Sequence, residues 1–345
     1  MEAAIRIALA GDTMLGRGVA ASLTTRTPQC LFSDEVVEVL RGADLVVLNL
    51  ECCISERGER WPDPGKAFFF RAPPRAVEVL SHLGVDCVTL ANNHALDYGR
   101  VALLDTLDLL NEAGVAVVGA GRDVQQARAP AVLAHEGFRL RVVGLTDHPR
   151  DYQAGPDQPG VAYADLRRGV PEWVSEAMAG EPGDPVDAVL VTPHWGPNMT
   201  ADPVPHVRRA ATAFVQGGAT LVAGHSAHVF HGVTGTVLYD LGDFIDDYAV
   251  DPELRNDLGL VFLVELTSAG PIRLEAIPIF LDFCRTRLAR GEEAAWISKR
   301  FTAACHQLGT EVQAIGGRLV IEWENPGGVS AEAQSLRRRH RDDIP

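Results

Sequence analysis

The stretch ATLVAGHSAHVF, residues 219–230, joins a short apolar run to a group of histidines. Residues 219–223 predict a buried strand, and Gly224 predicts its end. His225 and His228 follow directly, and His231 lies three residues further on. Imidazole is the commonest metal-binding side chain, and it ionises near neutral pH. The stretch therefore predicts metal ligands at the end of a strand and leaves open whether His231 is one of them.

Five other ligand-type side chains follow apolar runs in the same way. Asp12 follows residues 5–10, Glu51 follows 43–50, Asn93 follows 85–91, His194 follows 188–192, and Asp243 follows 237–241. The carboxyl ends of the strands of an open α/β sheet form the crevice in which sites are built. We therefore expect these side chains to converge with His225 and His228.

The pattern between these runs predicts an α/β fold with a largely parallel core. Helical spacing over residues 73–83, 101–113, 171–179 and 204–216 alternates with the predicted strands. Residues 131–134 and 140–145 predict a hairpin, and residues 258–266 and 272–280 predict a closing antiparallel pair. The Pro- and Gly-rich residues 149–161 predict an exposed loop, either a lid over the site or a simple connection. We expect a catalytic domain over residues 1–285 and a helical extension over 286–345, with a frayed tail from 337.

Composition narrows the partners and the compartment. The net charge of −15 argues against nucleic acid and anionic membranes as partners. No stretch approaches the 18 apolar residues of a membrane span, and no signal peptide is evident. The six cysteines show no CxxC spacing, which favours buried thiols in a reducing compartment. We therefore expect a soluble, cytoplasmic protein, whose oligomeric state the sequence leaves open.

The ligand types predict the metal chemistry. Oxygen and imidazole ligands without cysteine suit a hydrolytic Mn, Fe, Zn or Mg centre better than a structural zinc site. Even six such ligands, with carboxylates among them, are more than one tetrahedral ion needs. Two ions sharing a carboxylate are the natural solution, and such a pair activates water for attack. Glu51 is the best candidate for the shared carboxylate.

Six short motifs in order resemble one family. They are GDTMLGR (11–17), NLE (49–51), ANNHALDYG (91–99), HWG (194–196), GHSAHVFHG (224–232) and YDLGDF (239–244). They resemble the CapA family, the poly-γ-glutamate capsule-synthesis group of the calcineurin-like metallophosphatase superfamily, over about residues 5–285. The resemblance implies a four-layer α/β/β/α sandwich with a dinuclear metal site. It also implies that Asn93 binds metal and that His94 acts on the substrate.

The sequence departs from the usual motifs at three positions. Met14 occupies the place of a superfamily histidine, as in CapA proteins, and Ser226 replaces a histidine of the terminal motif. Asp243 stands where the family usually has asparagine, so it is the first reserve ligand. Near His94, Asp97 either orients the imidazole or caps the helix that begins near Tyr98, and we favour the cap.

Two functions remain from the sequence. The first is a dinuclear-metal hydrolase that cleaves a phosphoester, or an acyl bond of a thioester, ester or amide, in a small metabolite. The second is a non-catalytic scaffold for capsule assembly that retains the fold. Trp61, Phe68–Phe70 and Trp195 predict aromatic surface for an apolar or ring-bearing group. Arg17, Arg71 and Arg100 are the candidate phosphate binders, and two of them aimed at the metals would favour a phosphoester.

Overall fold

Two β-sheets packed face to face organise the computed structural model, which describes residues 4–323. The larger sheet contains β1 (Ala4–Thr13), β2 (Leu45–Leu50), β5 (Cys87–Thr89), β6 (Ala116–Val118), β15 (Asp243–Ile245), β16 (Leu258–Thr267), β17 (Gly270–Leu281), β18 (Thr286–Leu288), β19 (Gln313–Ile315) and β20 (Arg318–Glu322). The smaller sheet contains β8 (Ala131–His135), β9 (Phe138–Thr146), β11 (Ala188–His194), β12 (Leu221–Ala223), β13 (Val233–Thr234) and β14 (Val237–Leu238). Two short pairs lie outside these sheets: β3 (Cys53–Ile54) with β4 (Arg71–Ala72), and β7 (Ala120–Gly121) with β10 (Gly160–Val161).

Eight α-helices accompany the sheets in the described residues. They are α1 (Arg17–Thr25), α2 (Asp34–Arg41), α3 (Val77–Leu83), α4 (Gly99–Glu112), α5 (Val124–Arg128), α6 (Glu172–Ala179), α7 (Pro205–Gln216) and α8 (Glu292–Gln307). Short 3₁₀ turns span Pro28–Leu31, Pro74–Ala76 and Arg150–Tyr152. None of these helices is long and apolar enough to cross a membrane.

Alternating side chains divide the interior into three apolar layers. Along β1, Ile7 and Leu9 point into the layer between the sheets, whereas Ala8 and Ala10 join the layer under α1–α4. The smaller sheet repeats the pattern, since α6 and α7 cover its outer face. Strands covered on both faces read as continuous apolar runs, as the fully buried β2 does. The predicted four-layer α/β/β/α sandwich is confirmed.

Several element boundaries differ from the predictions. The strand expected over residues 85–91 is only Cys87–Thr89, because the chain turns early into the Asn92–Asn93 segment. The run 237–241 is not one strand: β14 ends at Leu238, and Asp243 begins β15 in the other sheet. The hairpin at Glu136–Gly137 and the antiparallel β16–β17 pair are confirmed.

The predicted division at residue 285 stays a prediction. In the structure, β18 and β20 pair with β17, and Ile297, Phe301 and Cys305 of α8 join the layer between the sheets. This part of the predicted extension therefore packs into the same core as the residues before it. The predicted frayed tail lies outside the described residues.

Gly11 provides a stability test, because a Cβ atom there would overlap the backbone carbonyl oxygen of Gly242. We expect Gly11→Ala to separate β1 from the Gly242 segment and to lower the free energy of unfolding by about 3 kcal/mol, the upper range for overpacking. Urea denaturation measures this loss. Gly42→Ala, at the exposed end of α2, is the control and should cost much less. Equal stability of the two variants would contradict the close packing described.

Candidate metal centre

The register of the larger sheet places two predicted ligands side by side. Asp12, near the carboxyl end of β1, pairs with Asp243 of β15 on one side and with Asn49 of β2 on the other. Asn49 donates a hydrogen bond to Asp12 Oδ1 at 2.7 Å. Glu51 follows β2 directly and is fully buried. The carboxylates therefore converge because three neighbouring strands reach the same edge.

The smaller sheet delivers the imidazoles to the same edge. His194 ends β11 and forms an isolated bridge with His225, which follows β12. The chain then turns sharply, with Ser226 at φ +112° and His228 at φ +59°. Left-handed backbone is costly for non-glycine residues and is retained mainly where function requires it. This turn points the His228 ring toward Asp12.

One ligand group surrounds the His228 ring. Asp12, Glu51, His228 and Asp243 each offer one atom, and the four atoms lie within 4.8 Å of one another. His228 Nδ1 is 2.8 Å from Asp243 Oδ1, 3.5 Å from Asp12 Oδ2 and 3.9 Å from Glu51 Oε2. Three carboxylates and one imidazole suit a divalent cation such as Mn²⁺, Fe²⁺ or Zn²⁺.

A second set of ligand atoms adjoins the first. His225 Nδ1 lies 3.3 Å from Asp12 Oδ1, and the amide of Asn49 lies 3.5 Å from His194 Nδ1. Six buried ligand atoms make no hydrogen bond: Asp12 Oδ2, Glu51 Oε1, Asn93 Oδ1, His194 Nε2, His225 Nδ1 and Asp243 Oδ2. Buried polar atoms are normally paired, so an unpaired set of this kind fits a site built for cations. His231 is turned away and contacts the carbonyl oxygen of Thr200 at 2.7 Å.

The pKa shifts of the three carboxylates also fit a site built for cations. Burial raises the pKa of Glu51 well above its usual range, and the charge of Asp12 raises it further. Burial and Asp246 likewise raise the pKa of Asp243. Burial opposes the ionisation of Asp12, but the imidazole of His225, 3.3 Å away, outweighs this effect and lowers the pKa of Asp12. A bound cation would stabilise all three carboxylates as anions.

Hydrogen bonds outside the ligand set hold several ligands in place. Thr192 Oγ1 lies 3.0 Å from His225 Nε2, which leaves Nδ1 for the metal. The Asn92 amide donates to Asn49 Oδ1 and to the Leu50 carbonyl. These bonds tie the segment after β5 to the end of β2. Such partners fix the tautomer and orientation of metal ligands.

His94 lies beside the ligand set and is held by Asp97, with Nδ1 2.6 Å from Asp97 Oδ2. The cap that we favoured for Asp97 is wrong: helix α4 has Tyr98 at its N-cap position and no side-chain cap. Asp97 instead accepts hydrogen bonds from the Phe70 backbone and the Tyr152 hydroxyl. Burial lowers the pKa of His94 to about 4, although Asp97 opposes the shift.

Lys66 completes this arrangement. Its ammonium group lies 3.0 Å from Asp97 Oδ1 and donates to the backbone carbonyl of Asn93 at 2.7 Å. The Phe70 ring stacks on His94 with centroids 4.0 Å apart. The segment between β3 and β4 and the loop carrying Tyr152 therefore fix the His94–Asp97 pair from two sides.

Of the arginines and aromatic residues that the sequence suggested as substrate contacts, some lie near the ligand set and others do not. Arg71 stacks over Tyr98, and Arg100 lies over Trp61, so neither is committed to the ligand set. Arg17 binds Asp247 at 3.2 Å and lies over the Phe68 and Phe70 rings. Trp195 does not wall the site, since it is buried against Phe214 under α7 and donates to the Tyr239 carbonyl.

Sequence reasoning missed several residues that complete the site. They are Asn49, Lys66, Asn92, His148 and Tyr248, whose hydroxyl donates to Glu51 Oε2 at 3.4 Å. Asn49 and Asn92 lie inside the quoted motifs and follow apolar runs, which is a usable signal. Lys66 and Tyr248 come from connecting segments, and no spacing rule predicts their approach.

Comparison with known proteins identifies the family. The model of the bacterial capsule synthesis protein PGA_cap matches residues 6–248. The chain is 30% identical over 275 residues to the PGA biosynthesis protein CapA of Bacillus subtilis, covering 78% of this chain and 70% of that protein. It is 29% identical over 298 residues to a "probable polyglutamine synthesis accessory protein" of Mycobacterium tuberculosis, covering 81% and 77%. The crystal structure of calcineurin-like phosphoesterase YfkN from Bacillus subtilis aligns with a TM-score of 0.45 and 10% identity, covering 99% of this chain and 98% of that one. The chain therefore belongs to the bacterial capsule synthesis PGA_cap family, as its motifs predict.

Proposed function

We propose that this protein is a dinuclear-metal hydrolase. One observation carries the proposal: six metal-type side chains at neighbouring strand ends each keep a buried ligand atom without a hydrogen bond. Asp12, Glu51, His228 and Asp243 would hold one ion. Asn93, His194 and His225 would hold the second, with Glu51 as the shared ligand. Metal ions in such a pair lower the pKa of a bound water and polarise the bond under attack.

The His94–Asp97 pair supplies the proton chemistry in this proposal. Asp97 holds His94 Nδ1, so Nε2 is left for the substrate. Lys66 and Tyr152 keep the Asp97 carboxylate in place, and Phe70 restricts the tilt of the imidazole ring. Because the pKa of His94 is about 4, Nε2 carries no proton at neutral pH, so His94 would first accept a proton there and then pass it to the leaving group or stabilise the charge that develops on it.

The surroundings favour a small substrate with an apolar or ring-bearing part. Phe68 is exposed, and the Arg17 guanidinium lies over its ring; we call this pair the rim of the site. The Phe70 and Tyr248 rings stack on each other near the ligand set. Arg17 is the only one of the three candidate arginines at this rim. A phosphate normally engages several basic groups. The scarcity of such groups favours cleavage of an acyl bond in a thioester, ester or amide over cleavage of a phosphoester.

The alternative is a non-catalytic scaffold in capsule assembly, operating without turnover. The names of the two relatives, a PGA biosynthesis protein and an accessory protein, favour this alternative. The retention of nearly all the ligands favours the enzyme, because a retired site is free to lose them. Metal-loaded protein assayed on p-nitrophenyl phosphate, acyl-CoA thioesters and peptide amides decides between them. Turnover that a chelator abolishes supports the hydrolase, and no turnover of any class supports the scaffold.

The compartment remains a prediction. The free thiols of the six cysteines are consistent with the cytoplasm. Fractionation of the source cells tests this, and recovery of the protein in the membrane fraction would contradict it.

The role of His94 predicts a separation of metal binding from turnover. We expect His94→Gln to retain its metals and to lose about 10²- to 10⁴-fold in kcat, the usual contribution of an acid–base group. His306→Gln, at an exposed position on α8, is the matched control and should keep full activity. Metal analysis and steady-state kinetics on the same preparations give both quantities. Loss of metal in proportion to activity would make His94 a ligand instead.

We expect substitution of Lys66 to lower kcat through its effect on Asp97. We expect Lys66→Met to lower kcat by roughly 10-fold or more, because a buried carboxylate loses a charged hydrogen-bond donor. Lys66→Arg should recover much of the loss. Lys299→Met, at an exposed position on α8, is the control. A Lys66→Met variant with unchanged kcat would show that His94 is held without the ammonium group.

We expect substitution of Asp243 to change protein stability in opposite directions with and without metal. In metal-free protein at neutral pH, Asp243→Asn removes a buried carboxylate that lies near other carboxylates, so stability should rise by about 1 kcal/mol. In metal-loaded protein the same change removes a ligand, so stability should fall. Urea unfolding with chelator and with Mn²⁺ measures both effects. A fall in both conditions would show that Asp243 serves packing and not metal binding.

A further inference from the structure

A second Asp–His pair lies next to the proposed metal centre. His148 Nδ1 is 2.5 Å from Asp147 Oδ1, and His206 Nε2 is 3.0 Å from Asp147 Oδ2. The backbone N–H of Gly196 also donates to Asp147 Oδ2, at 3.1 Å. No motif or spacing in the sequence singles out either histidine. In the fold, however, the pair repeats the arrangement of His94 with Asp97.

The sheet register places this pair at the edge where the ligands converge. Thr146, the last residue of β9, is in register with His194 of β11. The Asp147 N–H donates to the His194 carbonyl at 3.2 Å. The His148 and His194 rings lie 5.2 Å apart between centroids, tilted by 46°. His148 thus flanks the ligand set on the His194 side, whereas His94 follows Asn93.

The His148 ring is held for use at one nitrogen. The Asp147 side chain is only 7% exposed and engages Nδ1, so Nε2 points away from it. The His148 side chain is 32% exposed, whereas that of His94 is 6% exposed. Thr146 Oγ1 donates to the His148 carbonyl at 2.6 Å and accepts from its N–H at 3.2 Å, which fixes the backbone. An imidazole that serves only packing would not need a buried carboxylate to orient it.

We propose that His148 is a second catalytic residue, which in its protonated form donates a hydrogen bond from Nε2 to an oxygen of the phosphoryl or acyl group of the substrate on the His194 side of the metals. This inference rests on the proposed hydrolase function and extends it. Asp147 is a positioning residue that fixes the ring, and His206 fixes Asp147. The reacting group would then be held between two oriented imidazoles, with His94 on one side and His148 on the other.

Paired variants test this role. His148→Gln should retain both metals and lose about 10- to 100-fold in kcat/KM, the effect of one hydrogen bond to a charged or reacting group. His135→Gln is the matched control, since His135 is also half-exposed and lies 3.4 Å from a carboxylate, that of Asp44, at the outer strand β8. The kcat/KM of Asp147→Asn should lie between those of His148→Gln and His135→Gln, and this variant should keep its metals. Equal kcat/KM in wild type and His148→Gln would overturn the proposal, and so would loss of metal from His148→Gln.

Ligand binding separates this inference from the proposed function. Inorganic phosphate and acetohydroxamate, which imitate a phosphoryl and an acyl group on metals, can be titrated into Mn²⁺-loaded protein by calorimetry. We expect at least one to bind and His148→Gln to weaken it by roughly 10-fold or more. Weakened binding in a protein that turns over no substrate would support the His148 contact and reject the hydrolase. Unchanged affinity in His148→Gln, or a wild type that neither binds these anions nor shows turnover, would overturn the contact.

Discussion

Buried negative charge without a matching basic side chain is the constraint on which this site depends. Asp12, Glu51 and Asp243 are almost fully buried and converge at one sheet edge, where the imidazole of His228 lies within 3.9 Å of each of them. Isolated buried carboxylates are costly, and proteins retain them where a partner or a metal offsets the cost. The basic side chains nearby are occupied: Lys66 by Asp97, and Arg17 by Asp247. Without a cation, the raised pKa values of Glu51 and Asp243 favour their protonated forms, so a cation from solution is what would keep these carboxylates ionised.

The fold supplies this convergence through strand register. Parallel neighbours in the larger sheet bring Asp12, Asn49 and Asp243 level, and an isolated bridge in the smaller sheet brings His194 beside His225. The two sheets pack face to face, so their carboxyl ends open on the same crevice. Local strain at Ser226 and His228 then aims one imidazole across the gap between the sheets. Stability of the sandwich and geometry of the site are therefore linked through the same few strand ends.

The sequence predicted the parts of this arrangement that follow strand periodicity. Apolar runs that precede Asp12, Glu51, His194 and His225 predicted an α/β fold and the edge where these side chains meet, whereas the four-layer sandwich came from the resemblance to the CapA family. It could not predict Lys66 or Tyr152, because their positions depend on how two connecting segments fold back over Asp97. Asp97 itself illustrates the limit: its position before a helix suggested a cap, but its buried hydrogen bonds to His94 and Phe70 decide its role. Trp195 was misplaced because its neighbour His194 faces the crevice while the indole turns into the core.

The metal content of the native protein tests the central claim most directly. Protein purified without chelator should contain two transition-metal ions per chain, and anomalous diffraction from its crystals should place one beside Asp12, Glu51, His228 and Asp243 and the other beside Asn93, His194 and His225. The ions should be about 3.5–4 Å apart, as in two-metal hydrolytic sites. A folded protein that binds no divalent ion at this edge, at any metal concentration tested, would contradict the account.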